Sequence, residues 1–223
     1  YKIDEEEVKL TSHGIGAHGA HPDLGFNAIS RLIIVLDKLF KTYDINVEIF
    51  DFFTKYIGIQ YNGENFGINF EDESGKLTLN VGRISLENNV FTIGMNLRVP
   101  VTVDIINIGN SFLKYTSPYI NVDFDTTHYQ PALHLPKNHP LVTTLCEIFN
   151  KETNSDLEPI AIGGATFARA FDNCISFGAN FPGHPDMCHQ TDEFIEIEHL
   201  ILSCKIYAKA LETLANRDNR DRT

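Results

Sequence analysis

The stretch from His13 through Gly25 holds four glycines, the last of them Gly25 itself, and a proline, a density that excludes both helix and strand and makes this stretch a loop. Both flanks carry regular patterns. Glu7 to Ser12 alternates as a strand, and Asn27 opens a helix on which Ile29, Leu32, Ile33, Leu36, Leu39 and Phe40 recur at three and four to about Tyr43. A glycine-rich loop between a strand and a helix brings backbone and side chains close to a ligand. This loop also carries three histidines, His13, His18 and His21.

The rest of the chain divides near Ser117. Up to that point the pattern predicts a second helix from Val47 to Tyr56 and a strand through Leu77, Leu79 and Val81. A polar turn at Glu87-Asn88-Asn89 then leads to a strand from Val90 to Val99. Thr102 is expected to cap a further helix to about Tyr115, with Val103, Ile106, Phe112 and Leu113 inward. This is the order of a small α/β sandwich, an antiparallel sheet with helices on one face, over residues 1–117.

Residues 118–223 read as part of a second α/β domain. Short strands are expected at Tyr119 to Asp125, Pro159 to Ile162 and Ile175 to Gly178. Helices are expected from Pro140 to about Asn150, briefly at Phe167 to Phe171, and from Glu196 to Ala215. The last should bury Ile197, Leu200, Ile201, Cys204, Tyr207, Ala208 and Leu211. So few strands make an incomplete sheet, whose missing members must come from elsewhere.

With 18 basic residues against 30 acidic ones the formal net charge is −12, and there is no basic cluster. Such a surface repels a phosphate backbone, which argues against nucleic acid or an anionic membrane as partner. The longest aliphatic run, Leu32 to Leu36, is far below the ~20 residues of a membrane helix. Four cysteines without a C-x-x-C pair fit a reducing cytoplasm. The chain opens on Tyr1, has methionine only at Met95 and Met187, and shows no signal sequence, which leaves room for a longer gene product.

Several residues qualify for chemistry. The three loop histidines could clasp a metal, although the glycines and Pro22 remove the helix that would align them, so a single functional histidine is the better reading. His189 sits in the polar loop Gly183 to Glu193, where a histidine is either solvent-exposed or a ligand. Gly163-Gly164-Ala165-Thr166 either forms an ordinary turn or offers N–H groups to an anion. Arg98, near the end of an apolar strand, either pairs with a local carboxylate or presents its fork to a carboxylate ligand.

Four ordered segments carry a resemblance. Gly14 to Ala28 is similar to a G-x-x-A-H-x-x-x-P-x-x-G-x-N-A segment, and Gly94 to Pro100 to an N-x-R-x-P strand. Gly163 to Arg169 is similar to G-G-G-T-Y-x-R, and Phe177-Gly178 with His189 to Phe194 to F-G followed by H-x-x-N-E-[FY]. These are the motifs of the dipeptidase V branch, carnosinase-like, of the di-zinc metallopeptidases that include aminoacylases and succinyl-diaminopimelate desuccinylases. The resemblance implies a lid domain at 1–117 and the C-terminal part of the catalytic domain at 118–223. It implies that His18 stabilises the oxyanion, that Arg98 grips the substrate's free carboxylate, and that Gly164 and Thr166 belong to its backbone cradle. It further implies that His189 ligates one of two zinc ions, with manganese as an alternative.

Two positions depart from the motifs, Ala165 for a third glycine and Asp192 for asparagine. The family's remaining ligands and its Glu-Glu pair lie upstream of the lid and match nothing here, so the chain alone is not expected to hydrolyse peptides. The resulting reading is part of a cytoplasmic metallo-dipeptidase, acting on a dipeptide through a metal-activated water and completed by the N-terminal catalytic half of the same protein. The alternative is a binding or assembly module derived from the lid.

Overall fold

Apolar residues spaced for helix and for strand build a mixed α/β fold in the computed structural model, which describes residues 3–4, 7–119, 125–178, 180–185, 187–188 and 191–216. Two compact units result, Tyr1–Gln130 with Ala161–Gly164, and Pro131–Ile160 with Ala165–Thr223.

The first unit begins with a two-residue antiparallel pair, β1 (Ile3–Asp4) and β2 (Glu7–Val8), so the strand expected to Ser12 ends early. Helix α1 (Ala28–Thr42) follows the loop, and α2 (Glu48–Phe52) continues into a π-helical turn, Phe53–Ile57, that stops at Gly58. A second small pair, β3 (Glu71–Asp72) and β4 (Gly75–Lys76), precedes the long hairpin β5 (Thr78–Glu87) and β6 (Val90–Arg98). Asn88 and Asn89 both take positive φ, 50° and 63°, giving the two-residue turn whose twist matches the strands. Gly82 is the extra residue of a bulge between Val81 and Arg83. Helix α3 (Ile105–Thr116) closes the unit.

Leu77, Leu79 and Val81 point to one face of the hairpin region and pack with Ile33, Phe52, Phe53, Ile57, Phe66, Ile68, Ile108 and Phe112 in one core. Phe53, Phe66, Ile68 and Phe112 are sealed from solvent, and the Phe66 and Phe112 rings lie 4.5 Å apart. Two expectations for α3 change. Asp104, not Thr102, caps it by accepting from the Ile106 N–H at 2.9 Å, and Ile106 and Leu113 face solvent while Ile108 and Phe112 are buried. On α1 the stripe also contains buried Asp37, whose carboxylate meets the Lys41 ammonium at 3.0 Å. The hydrogen bond from Lys41 to Asp51, then that to Asp37, raises the lysine pKa.

In the second unit, α4 (Pro140–Thr153) and α5 (Ile197–Ala215) pack around Leu145, Ile148, Phe181, Ile206 and Ala210. Pro140 occupies the first turn of α4 as expected, with His139 Nδ1 accepting from the Leu141 N–H at 3.2 Å. Asn150 fastens the chain after α4, exchanging hydrogen bonds with both main-chain groups of Leu157 at 2.9 Å. The strands expected at Pro159 to Ile162 and Ile175 to Gly178 have no regular secondary structure, and most of the one expected at Tyr119 to Asp125 lies outside the described residues. A strand exists only when a neighbour takes its N–H and C=O groups, and among the described residues no strand pairs with these. The burial expected along α5 is also reversed. Ile197, Leu200, Ile201, Cys204 and Leu211 are exposed, and Ser203, Ile206 and Ala210 turn inward.

Candidate active site

The loop after β2 closes on itself by an antiparallel bridge between Ile15 and Phe26, with reciprocal hydrogen bonds of 3.0 and 2.9 Å. The flanking glycines make this closure possible. A Cβ on Gly14 would stand 2.4 Å from the Phe26 carbonyl oxygen, and one on Gly25 2.5 Å from that of Ile15. At the tip, the His21 N–H donates to the His18 carbonyl at 2.8 Å and a short 3-10 turn, Pro22–Leu24, returns the chain.

Asn27 then anchors the loop to the sheet. Its Oδ1 caps α1 by accepting from the Ser30 N–H at 3.0 Å, while its Nδ2 donates to Asn80 Oδ1 at 3.1 Å and to the Val81 carbonyl at 2.7 Å. The hairpin register pairs Thr78 with Arg98 and Asn80 with Asn96. Because side chains alternate along a strand, these four lie on the face opposite Leu79 and Val81. That polar face receives the loop. Thr78 Oγ1 reaches the Gly19 carbonyl at 3.4 Å, and a Cβ on Gly19 would lie 3.6 Å from Asn96 Oδ1 and 3.7 Å from an Arg98 terminal nitrogen. His18, adjacent to Gly19, has its Nδ1 3.4 Å from the Ala20 N–H.

Arg98 Nε is buried and has no hydrogen-bond partner, and none of the ion pairs among the described residues involves this guanidinium. A buried donor without a partner is costly, so the arrangement suits an incoming acceptor. The local-carboxylate alternative for Arg98 finds no such partner among the described residues.

The chain leaving Arg98 is itself clamped. Asp72 accepts at 2.7 and 2.6 Å from the N–H and hydroxyl of Ser74, and at 2.9 and 2.8 Å from those of Thr102. Ser74 Oγ in turn accepts from the Val101 N–H at 3.1 Å. Burial pushes the Asp72 pKa up, but the Ser74 and Thr102 donors together outweigh it and hold the carboxyl well below the usual range. Thr102 serves this clamp, which is why it does not cap α3.

Gly163 also approaches the loop: its Cβ would fall 2.7 Å from that of Ala20. Gly164 follows it in the same unit, whereas Thr166 belongs to the other, where its Oγ1 lies 3.3 Å from the Ala168 N–H and 2.6 Å from Ser176 Oγ. His189 lies outside the described residues. His18 and His21 keep their ring centroids 6.3 Å apart, and no group of three ligand-bearing side chains forms in their loop among the described residues. Sequence reading missed Asn80, Asn96, Thr78 and Asp72. The signal available was the alternation that puts Asn96 on the face of Arg98.

The profile of Peptidase family M20/M25/M40 matches residues 5–213. This chain belongs to that family. The M20 chain is 33% identical over 217 residues to the protein of Bacillus subtilis (strain 168) named "Putative dipeptidase YtjP", covering 96% of this chain and 45% of that protein. It is 33% identical over 214 residues to "Putative dipeptidase SH1171" of Staphylococcus haemolyticus, covering 95% of this chain and again 45% of the relative. It therefore spans less than half the length of these relatives. No helix among the described residues of the M20 chain is long and apolar enough to cross a membrane.

Proposed function

We propose that this chain supplies the lid domain, residues 1–117, and the C-terminal part of the catalytic domain, residues 118–223, of a cytoplasmic dipeptidase of the dipeptidase V, carnosinase-like branch. The observation that carries the reading is the seating of the His18–Gly19 loop tip beside Arg98, whose buried Nε has no hydrogen-bond partner. A guanidinium fork matches a carboxylate in geometry and charge, so Arg98 holds the free C-terminal carboxylate of a dipeptide. His18 then lies within the reach of a very short substrate and donates to the oxygen that becomes negative as the peptide carbonyl is attacked. The family resemblance also assigns Gly164 and Thr166 to the backbone cradle for that carboxylate.

In this family a pair of metal ions, zinc or manganese, supplies an activated water when bound. By the resemblance His189 would be a ligand of one of these ions, and the described residues do not assemble the rest of such a centre. The other ligands and the base belong to the N-terminal catalytic half of the same protein. The exposed apolar side chains of α5, Ile197 at 75% and Leu211 at 70%, support burial of this helix by that half.

The test compares dipeptides with free and amidated C-termini on the full-length protein. Amidation is expected to raise KM strongly in the unmutated enzyme and to have little further effect in Arg98→Ala. Equal cleavage of both substrates by the unmutated enzyme would refute the Arg98 role.

A further inference from the structure

None of the proposed roles uses a group of three ligand-bearing side chains in the second unit. His184 lies in the loop before α5, Glu196 opens that helix, and His199 follows three residues later. Glu196 Oε1 stands 3.3 Å from His184 Nδ1, and Oε2 stands 3.8 Å from His199 Nε2. One ligand atom from each residue lies within 4.8 Å of the others. The imidazole rings meet at 86° with centroids 4.0 Å apart, and the His199 ring rests 4.5 Å from that of Phe181, a core residue of the unit.

The spacing is informative. A tetrahedral ion bound at about 2.0–2.1 Å has ligand-to-ligand edges of roughly 3.3 Å. The His184 separation from Glu196 Oε1 equals that edge and the His199 separation from Oε2 exceeds it by about 0.5 Å; with one atom taken from each residue the three lie within 4.8 Å, and side-chain rotation closes them onto one ion. Packing against Phe181 orients His199, and the helix start sets the backbone of Glu196, so one of the three donors is held before any ion arrives and a second is placed beside it. His184 and Glu196 are 40% and 47% exposed, which leaves an entry path and room for a water as fourth ligand. Two imidazoles with one carboxylate favour zinc, cobalt, nickel or copper over magnesium or calcium.

We propose that His184, Glu196 and His199 form a tridentate site for a divalent transition cation, zinc or a close analogue. Bound there, the ion ties the chain at His184 onto the start of α5.

The test uses the full-length protein, stripped with a chelator and reloaded with Co2+ or Zn2+. Tetrahedral Co2+ absorption and competition with a chromophoric zinc chelator report stoichiometry and affinity. Variants are His184→Ala, His199→Ala, Glu196→Gln and His189→Ala. The unmutated protein is expected to bind one equivalent that the three cluster variants lose or hold more than ~100-fold more weakly, beyond the loss typical of a supporting residue. His189→Ala keeps that equivalent. Glu196→Gln preserves volume and, with an unchanged circular dichroism spectrum, is the deciding variant, and its melting midpoint should no longer rise with the zinc equivalent that stabilises the unmutated protein. Wild-type stoichiometry and affinity in Glu196→Gln and His199→Ala would overturn the proposal and leave the cluster as hydrogen-bonded pairs. A loss confined to His189→Ala would also overturn it, while supporting the role given to His189.

Discussion

The side-chain amide of Asn27 donates to the main-chain carbonyl of Val81 at 2.7 Å, tying the start of α1 to the middle of β5. The same side chain caps the helix and bonds Asn80. Asn27→Ala removes a cap worth ~1 kcal/mol and leaves a partly buried carbonyl without its donor, so a loss of about 2–3 kcal/mol is expected in urea unfolding. Asn27→Asp keeps the cap acceptor and should lose less.

Gly14 and Gly16 lie two residues apart and should respond differently to alanine. A Cβ at Gly14 meets the Phe26 carbonyl oxygen at 2.4 Å, and backbone cannot yield as a flexible side chain does. At Gly16 nothing lies within 4 Å. Gly14→Ala is expected to open the Ile15–Phe26 bridge and speed exchange of those two amides. Gly16→Ala is expected to leave the exchange unchanged, and equal protection in both variants would contradict the closure described.

Asp72 makes stability depend on pH. Its folded pKa lies below the unfolded value of about 3.9, so the stabilisation is present above that value and is lost as pH falls through it toward the folded pKa. Thermal melts of the unmutated protein from pH 6 to pH 2 should show a decline below about pH 4 that is shallower in Asp72→Asn. The asparagine variant should also be the less stable of the two at pH 7.

In the full-length protein, His18→Ala is expected to lower turnover by ~100-fold or more, the scale of losing one oxyanion donor. Arg98→Ala should act mainly on KM for dipeptides with a free carboxylate. Steady-state kinetics separate the two, and a His18→Ala effect confined to KM would reassign that histidine to binding.

Local pattern made α1, the Asn88–Asn89 turn and the Pro140 start of α4 legible, since each depends on residues within a few positions. Helix α5 was legible in extent but not in orientation. Leu202, Ile206, Ala210 and Leu214 compete with Ile197, Leu200, Ile201 and Leu211, and a helix apolar on most sides does not tell periodicity which side is covered. Thr102 and Asp104 are both good caps, and the choice fell to Asp72, thirty residues away in sequence. Gly19 meeting Arg98 joins a loop to a strand far along the chain, and no local pattern shows such a contact. His184 with Glu196 and His199 matches no familiar ligand spacing, because a loop and a helix start bring them together.

The two hydrogen bonds between Ile15 and Phe26 fasten a segment of roughly ten residues at its base. The entropy of closing such a segment grows only with the logarithm of its length, so two added residues would cost about 0.2 kcal/mol. Stability therefore places little limit on the size of the loop. Its length is set at the other end, where Gly19 must reach Thr78 and Ala20 must fit against Gly163, and a longer loop would fold as well while carrying His18 out of register with Arg98.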